Sequence, residues 1–254
     1  AADASRMDAP WLADLLTPAM LLAALATAAA GVMRGYAGFG TAITLAPLYS
    51  MLWSPREGVP IMLLMEALIA GSLIPPVWQV WNRRVMVPMA IVACLLLPFG
   101  AFVLVAVEGQ LLRRVIGGLV LGCGIVLAIG WRYHGARPLW LNLSVGAASG
   151  LMKGATGMSG PPVILYLLSG AEAAREHRAN LIVFFGIVSI AAVLPVFWYG
   201  LAGLAVLAKV AVLLPVLIIT VRVGVRLFGR LSDRWFRAIA YLFLFAVGAT
   251  AVFA

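Results

Sequence analysis

Between Met20 and Trp53 the chain carries one charged residue, Arg34, and between Pro138 and Ala171 it carries one more, Lys153. Stretches this long and this apolar belong in a bilayer, where a helical span needs about 20 apolar residues. A cation there costs roughly 2.5–3.5 kcal/mol on insertion scales, so it faces a cavity, a partner or a substrate. Glycines follow both cations closely. The first stretch reads Gly31-Val-Met-Arg-Gly-Tyr-Ala-Gly-Phe-Gly-Thr41, and the second reads Gly150-Leu-Met-Lys-Gly-Ala-Thr-Gly-Met-Ser-Gly-Pro-Pro162. Together they read as two halves of one anion site.

The rest of the chain has the same character. It is 64% hydrophobic and 11% charged, against about 45–50% and roughly 25% in soluble domains. A soluble globular domain is therefore excluded, and the expected fold is an all-α polytopic membrane protein in a single membrane domain. The net charge of +9 raises the question of nucleic acid. The arginines, however, lie in short loops between apolar runs, as the positive-inside rule requires, so no nucleic-acid partner is expected. Cys94 and Cys123 fall inside apolar runs without a metal or disulfide motif, and His134 and His177 fall in expected loops. No Walker, GxSxG or HExxH signature occurs, so neither an enzyme nor a cofactor is expected. Asp3, Arg6, Asp8 and Asp14 make the N-terminus acidic, which argues against a signal peptide and for a membrane helix over 15–33.

Breaks at charges, glycines and prolines predict segments at 15–33, 37–53, 59–81, 85–107, 112–131, 139–152, 160–170, 179–199, 203–228 and 235–253. Eight of them read as crossings. The segments 37–53 and 160–170 are short and follow glycine-rich breaks, so they read as half-helices or re-entrant pieces, tolerated only against protein or a wet cavity. Pro75, Pro76, Pro98, Pro195 and Pro215 are expected to kink their spans.

An internal repeat runs at an offset of 119 residues. Gly31, Met33, Gly35, Gly38, Leu48, Ser50, Arg56 and Glu57 match Gly150, Met152, Gly154, Gly157, Leu167, Ser169, Arg175 and Glu176, with Arg34 opposite Lys153. The halves are residues 1–132 and 133–254. Loop charge then sets a topology. Arg83, Arg84, Arg132, Arg137, Arg175, Arg178, Arg226, Arg230, Arg234 and Arg237 mark one side, and Arg6, Arg56, Arg113 and Arg114 the other. The richer side is expected to be cytoplasmic, which inverts one half relative to the other. Inverted repeats with discontinuous helices at the midplane are the architecture of secondary transporters.

The candidate site follows from the two breaks. Ser159, Gly160 and Pro161-Pro162 suit a helix start, which aims free N–H groups and the positive dipole end at the break beside Lys153. Gly38, Gly40 and Thr41 do the same for the first half. Thr41, Thr156 and Ser159 add hydroxyl donors, Arg34 a planar fork and Lys153 a point charge. The competing account has both cations reaching an interface from helix ends. Glu66, the one acid inside a long apolar segment, reads either as a proton carrier or as a partner of Arg34. Asn142, Gln79 and Asn180 either line a path or bridge helices. Trp78, Trp81, Trp131 and Trp140 fit an interfacial belt. Gly118 and Gly122 suit a helix interface, inside the bundle or in a homodimer.

Gly35–Pro47 (GYAGFGTAITLAP) and Gly154–Leu165 (GATGMSGPPVIL), in two halves of a chain of this length, resemble the TauE/SafE sulfite-exporter family. The resemblance covers nearly the whole chain, and the glycine break running into Pro-Pro is its more specific part. Ala42-Ile43 replaces that pair in the first half. The resemblance implies a bacterial, multi-pass inner-membrane transporter of sulfite, thiosulfate, sulfoacetate or other sulfonates, mostly exporting. The expected function is thus export of a small sulfur-containing anion by alternating access. The alternative is a channel for small anions.

Overall fold

The computed structural model describes residues 17–128, 138–168 and 173–228. The segment 235–253, Arg132, Arg137, Arg230, Arg234, Arg237, Trp131 and His134 lie outside these residues, as does the side chain of Cys123. Among the described residues all regular structure is helical. The helices are α1 (Pro18–Ala37), α2 (Thr41–Leu52), α3 (Pro55–Leu73), α4 (Arg83–Ala106), α5 (Gly109–Ala128), α6 (Leu139–Thr156), α7 (Gly160–Leu168), α8 (Ala174–Trp198) and α9 (Leu204–Phe228).

Local chemistry fixes the boundaries. Thr17 accepts a hydrogen bond from the Met20 N–H at 3.3 Å and Pro18 opens α1, a start that needs no Pro N–H. Asn82 caps α4 through the Val85 N–H at 3.3 Å. α1 continues past Arg34 and stops at Gly38, which takes φ +82°; α6 continues past Lys153 and stops at Gly157, with φ +77°. In both, the capping N–H donates to the carbonyl of the cation-bearing residue at 2.9 Å. Only glycine enters this left-handed region freely. The cations therefore sit on the last turns of helices, not within the breaks.

The predicted half-helices are present. α2 and α7 have 12 and 9 residues, or about 18 and 14 Å, against a hydrocarbon core of about 30 Å. Among the described residues four helices, α1, α4, α8 and α9, are long and apolar enough to cross by themselves. α3 carries Arg56, Glu57 and Glu66, and α5 carries Arg113 and Arg114, so these helices are more polar than those four. Pro98, Pro195 and Pro215 lie inside α4, α8 and α9, whereas Pro75 and Pro76 form a short 3-10 turn that follows α3.

Helix starts recur at the repeat offset. α2 and α7 begin at 41 and 160, and α3 and α8 at 55 and 174. Packing is two-fold in the same sense: α1 lies along α9, α6 along α4, and α3 against α8. Small residues permit the approach, since a Cβ on Gly35 would collide with the Val221 carbonyl, and one on Gly154 with that of Leu97. Gly154→Val should accordingly destabilise the bundle by roughly 1–3 kcal/mol through overpacking. Gly118→Ala, which meets open space, should leave the thermal unfolding midpoint unchanged or raise it.

Contacts gather the loop charges at two ends of the bundle. At one end Asn82 N–H donates to Asn180 Oδ1 at 2.7 Å and Asn142 Nδ2 to the Val85 carbonyl at 2.8 Å. Both asparagines therefore bridge helices, and Gln79 is exposed in a turn. Arg83 stacks over Trp78 and Trp81 there. At the other end Arg113 Nε donates to the Ser50 carbonyl at 2.8 Å, and Lys209 pairs with Glu57 beneath Trp53.

Candidate anion site

Arg34 and Lys153 are both 1% exposed. Neither reaches an interface, so the account of two cations escaping from helix ends does not hold.

Their surroundings differ. The Lys153 ammonium forms an ion pair with Glu66, whose carboxylate also accepts hydrogen bonds from Thr41 Oγ1 and from Ser189 Oγ, the latter at 3.0 Å. Glu66 projects from α3, Lys153 from the last turn of α6, Ser189 from α8, and Thr41 is the first residue of α2. The carboxylate thus sits at a helix N-terminus, where the dipole favours negative charge. The partner of Glu66 is Lys153 and not Arg34, because α6 delivers its last turn to α3 while Arg34 extends from α1 toward α8.

Arg34 Nη1 donates to the Gly38 carbonyl at 2.9 Å. Its Nε and Nη2, both buried, have no hydrogen-bond partner among the described residues. The guanidinium lies over the Phe185 ring, 5.6 Å from the centroid, and close enough to Glu66 and Lys153 to feel both charges. Two adjacent N–H donors of one planar guanidinium match two oxygens of a carboxylate or an oxyanion of sulfur. A buried donor left unsatisfied costs about 1–3 kcal/mol, more when charged.

The remaining expected residues divide. Gly38, Gly40 (φ +118°) and Gly157 make the turns that set the cations beside the half-helices. Gly160 opens α7. Thr156 is engaged within its own chain turn: its hydroxyl donates to the Met152 carbonyl at 2.8 Å and accepts from the Met158 N–H at 3.2 Å. Ser159 is buried, and its carbonyl accepts from Ser149 Oγ at 2.9 Å.

Three participants escape sequence reading. Ser189 and Phe185 are ordinary residues of an apolar run, although the repeat offset carries Glu66 onto position 185. Arg178, expected in a charged loop, is buried. Its Nε donates to the Gly35 and Tyr36 carbonyls at 3.2 and 3.0 Å, and its Nη2 to Gly35 at 2.6 Å. It therefore closes the negative end of α1 beside Arg34. Beyond it, Arg178, Arg222, Arg226 and Ser72 line a cavity of about 280 Å³ at the end of the bundle.

The pattern described as Sulfite exporter TauE/SafE matches residues 23–251. The chain belongs to the TauE/SafE sulfite-exporter family. The match spans both cations, both half-helices and all the described helices except the start of α1. Membership makes the chain a membrane transporter of the sulfite-exporter class, in keeping with its long apolar helices. No curated protein and no solved structure matches it.

Proposed function

We propose that the protein exports a small sulfur-containing anion, sulfite or an organosulfonate, across the bacterial inner membrane, and that Arg34 is its docking cation. One observation carries this reading: a buried guanidinium whose two further N–H donors find no partner among the described residues, in a chain of the sulfite-exporter family. Lys153 is neutralised by Glu66, and the N-termini of α2 and α7 add positive field. Glu66 acts as counter-charge to Lys153 and not as a free proton carrier. An anion leaving a negative cytoplasm gains about 2.3 kcal/mol per elementary charge per 100 mV, so export needs no coupling ion.

The halves 1–132 and 133–254 serve as inverted units that alternate access around this site. The recurring helix starts and the exchanged packing of α1 on α9 and α6 on α4 support that arrangement. The end carrying Arg83, Arg175, Arg178, Arg222 and Arg226 faces the cytoplasm, by its charge. Its arginine-lined cavity is then the approach for an anion.

The test is flux of sulfite and of sulfonates in liposomes containing this chain alone, under an imposed membrane potential. Saturable, potential-driven anion efflux that persists without a pH gradient is the expected result. Flux that fails to saturate would identify a channel, and strict dependence on a pH gradient would return Glu66 to proton coupling.

A further inference from the structure

The repeat places the two cations in equivalent positions but gives them unlike partners. Lys153 is opposite Glu66, which comes from α3. Arg34 is opposite Phe185, which comes from α8 at the position matching Glu66. One cation has its carboxylate; the other has a benzene ring where the carboxylate would be.

The charges can be counted. The groups directed at Glu66 are an ammonium and two hydroxyls, an arrangement suited to an ionised carboxylate. Arg34, Lys153 and Glu66 then sum to a formal +1. Arg178 also lies near Arg34, but its donors go to the Gly35 and Tyr36 carbonyls, where the helix end carries about half a negative charge. Asp and Glu other than Glu66 lie outside this cluster among the described residues: Glu57 pairs with Lys209 at the far end, and Glu108 and Glu176 stand at helix starts.

We infer that the anion taken by Arg34 carries a single negative charge and stands where the repeat would otherwise put a carboxylate. Glu66 sets this selectivity by neutralising Lys153. The inference rests on Arg34 being the anion site, and it narrows the substrate class to hydrogen sulfite and simple alkanesulfonates. Sulfate, thiosulfate and sulfoacetate, each with two negative charges, would leave one charge buried without a partner, which is costly away from water.

The experiment is calorimetric titration of the detergent-purified full chain with hydrogen sulfite, methanesulfonate, isethionate, sulfate, thiosulfate and sulfoacetate. In the unaltered protein the tightest ligand should be a monoanion, preferred over sulfate by roughly tenfold or more. Glu66→Gln raises the site to +2 and should move that ratio toward the dianions by about tenfold. Phe185→Glu gives Arg34 an internal carboxylate and should remove binding of every anion while both cations stay in place. A dianion bound most tightly by the unaltered protein overturns the charge rule, and its loss in Arg34→Ala would leave the site itself standing. Binding of none of the six, or binding indifferent to Arg34→Ala, overturns the site as well. The ratio in the unaltered protein decides the matter even if a variant fails to fold.

Discussion

Arg34→Ala abolishes anion flux and leaves the helical bundle folded. The guanidinium contributes to the fold one hydrogen bond, to the Gly38 carbonyl, and a contact over the Phe185 ring, and its other N–H groups are buried without a partner among the described residues. Removing it relieves the cost of burying a charge and opens no ion pair, so the thermal unfolding midpoint should stay level or rise. Function should respond in the opposite direction. Truncating one member of a buried charge pair costs about 2–5 kcal/mol, so liposome flux should fall by roughly hundredfold or more. Arg34→Lys keeps the charge but loses the planar fork and should recover only a small part of it. A protein that transports normally without Arg34 would remove the docking cation from the account.

Lys153→Met has the reverse profile. It leaves the Glu66 carboxylate buried with two hydroxyl donors and no paired cation, and breaking such a pair is expected to destabilise by about 3–5 kcal/mol. Low yield and a lowered unfolding midpoint are the readouts. Glu66→Gln introduced into the same chain removes the uncompensated charge, so the double variant should regain most of the lost stability. Because Arg34 still gives that site a formal +1, the double variant should also keep Arg34-dependent binding. A single variant as stable as the parent would mean that Lys153 and Glu66 are not a buried pair.

The contrast between these cations also shows what a sequence can and cannot carry. Both were conspicuous, because a charge in a long apolar run has few structural uses. The half-helices were equally legible, since glycines at 38, 40 and 157 mark turns and the runs after them are too short to span. Partner choice was not legible. Glu66 lies 87 residues from Lys153 and 32 from Arg34, and nothing local favours the distant one. It follows from how α3, α6 and α8 pack, which is a tertiary fact. Arg178 was hidden for a different reason: a loop arginine and one that caps a buried helix end have the same sequence signature. Phe185 was within reach, because the offset that pairs Arg34 with Lys153 also pairs Phe185 with Glu66, although a phenylalanine in an apolar run gives no sign of its own.

The most direct test of the central claim is to locate a bound anion. A crystal soaked in or grown with 2-bromoethanesulfonate, a monoanion, would mark the ligand by the anomalous signal of its bromine. The account predicts a single strong site at the bundle centre, its sulfonate within hydrogen-bond distance of Arg34 Nε and Nη2 and Glu66 still paired with Lys153. A sulfonate held by Lys153 with Glu66 displaced, or one confined to the cavity of Arg178, Arg222 and Arg226 with Arg34 empty, would contradict it.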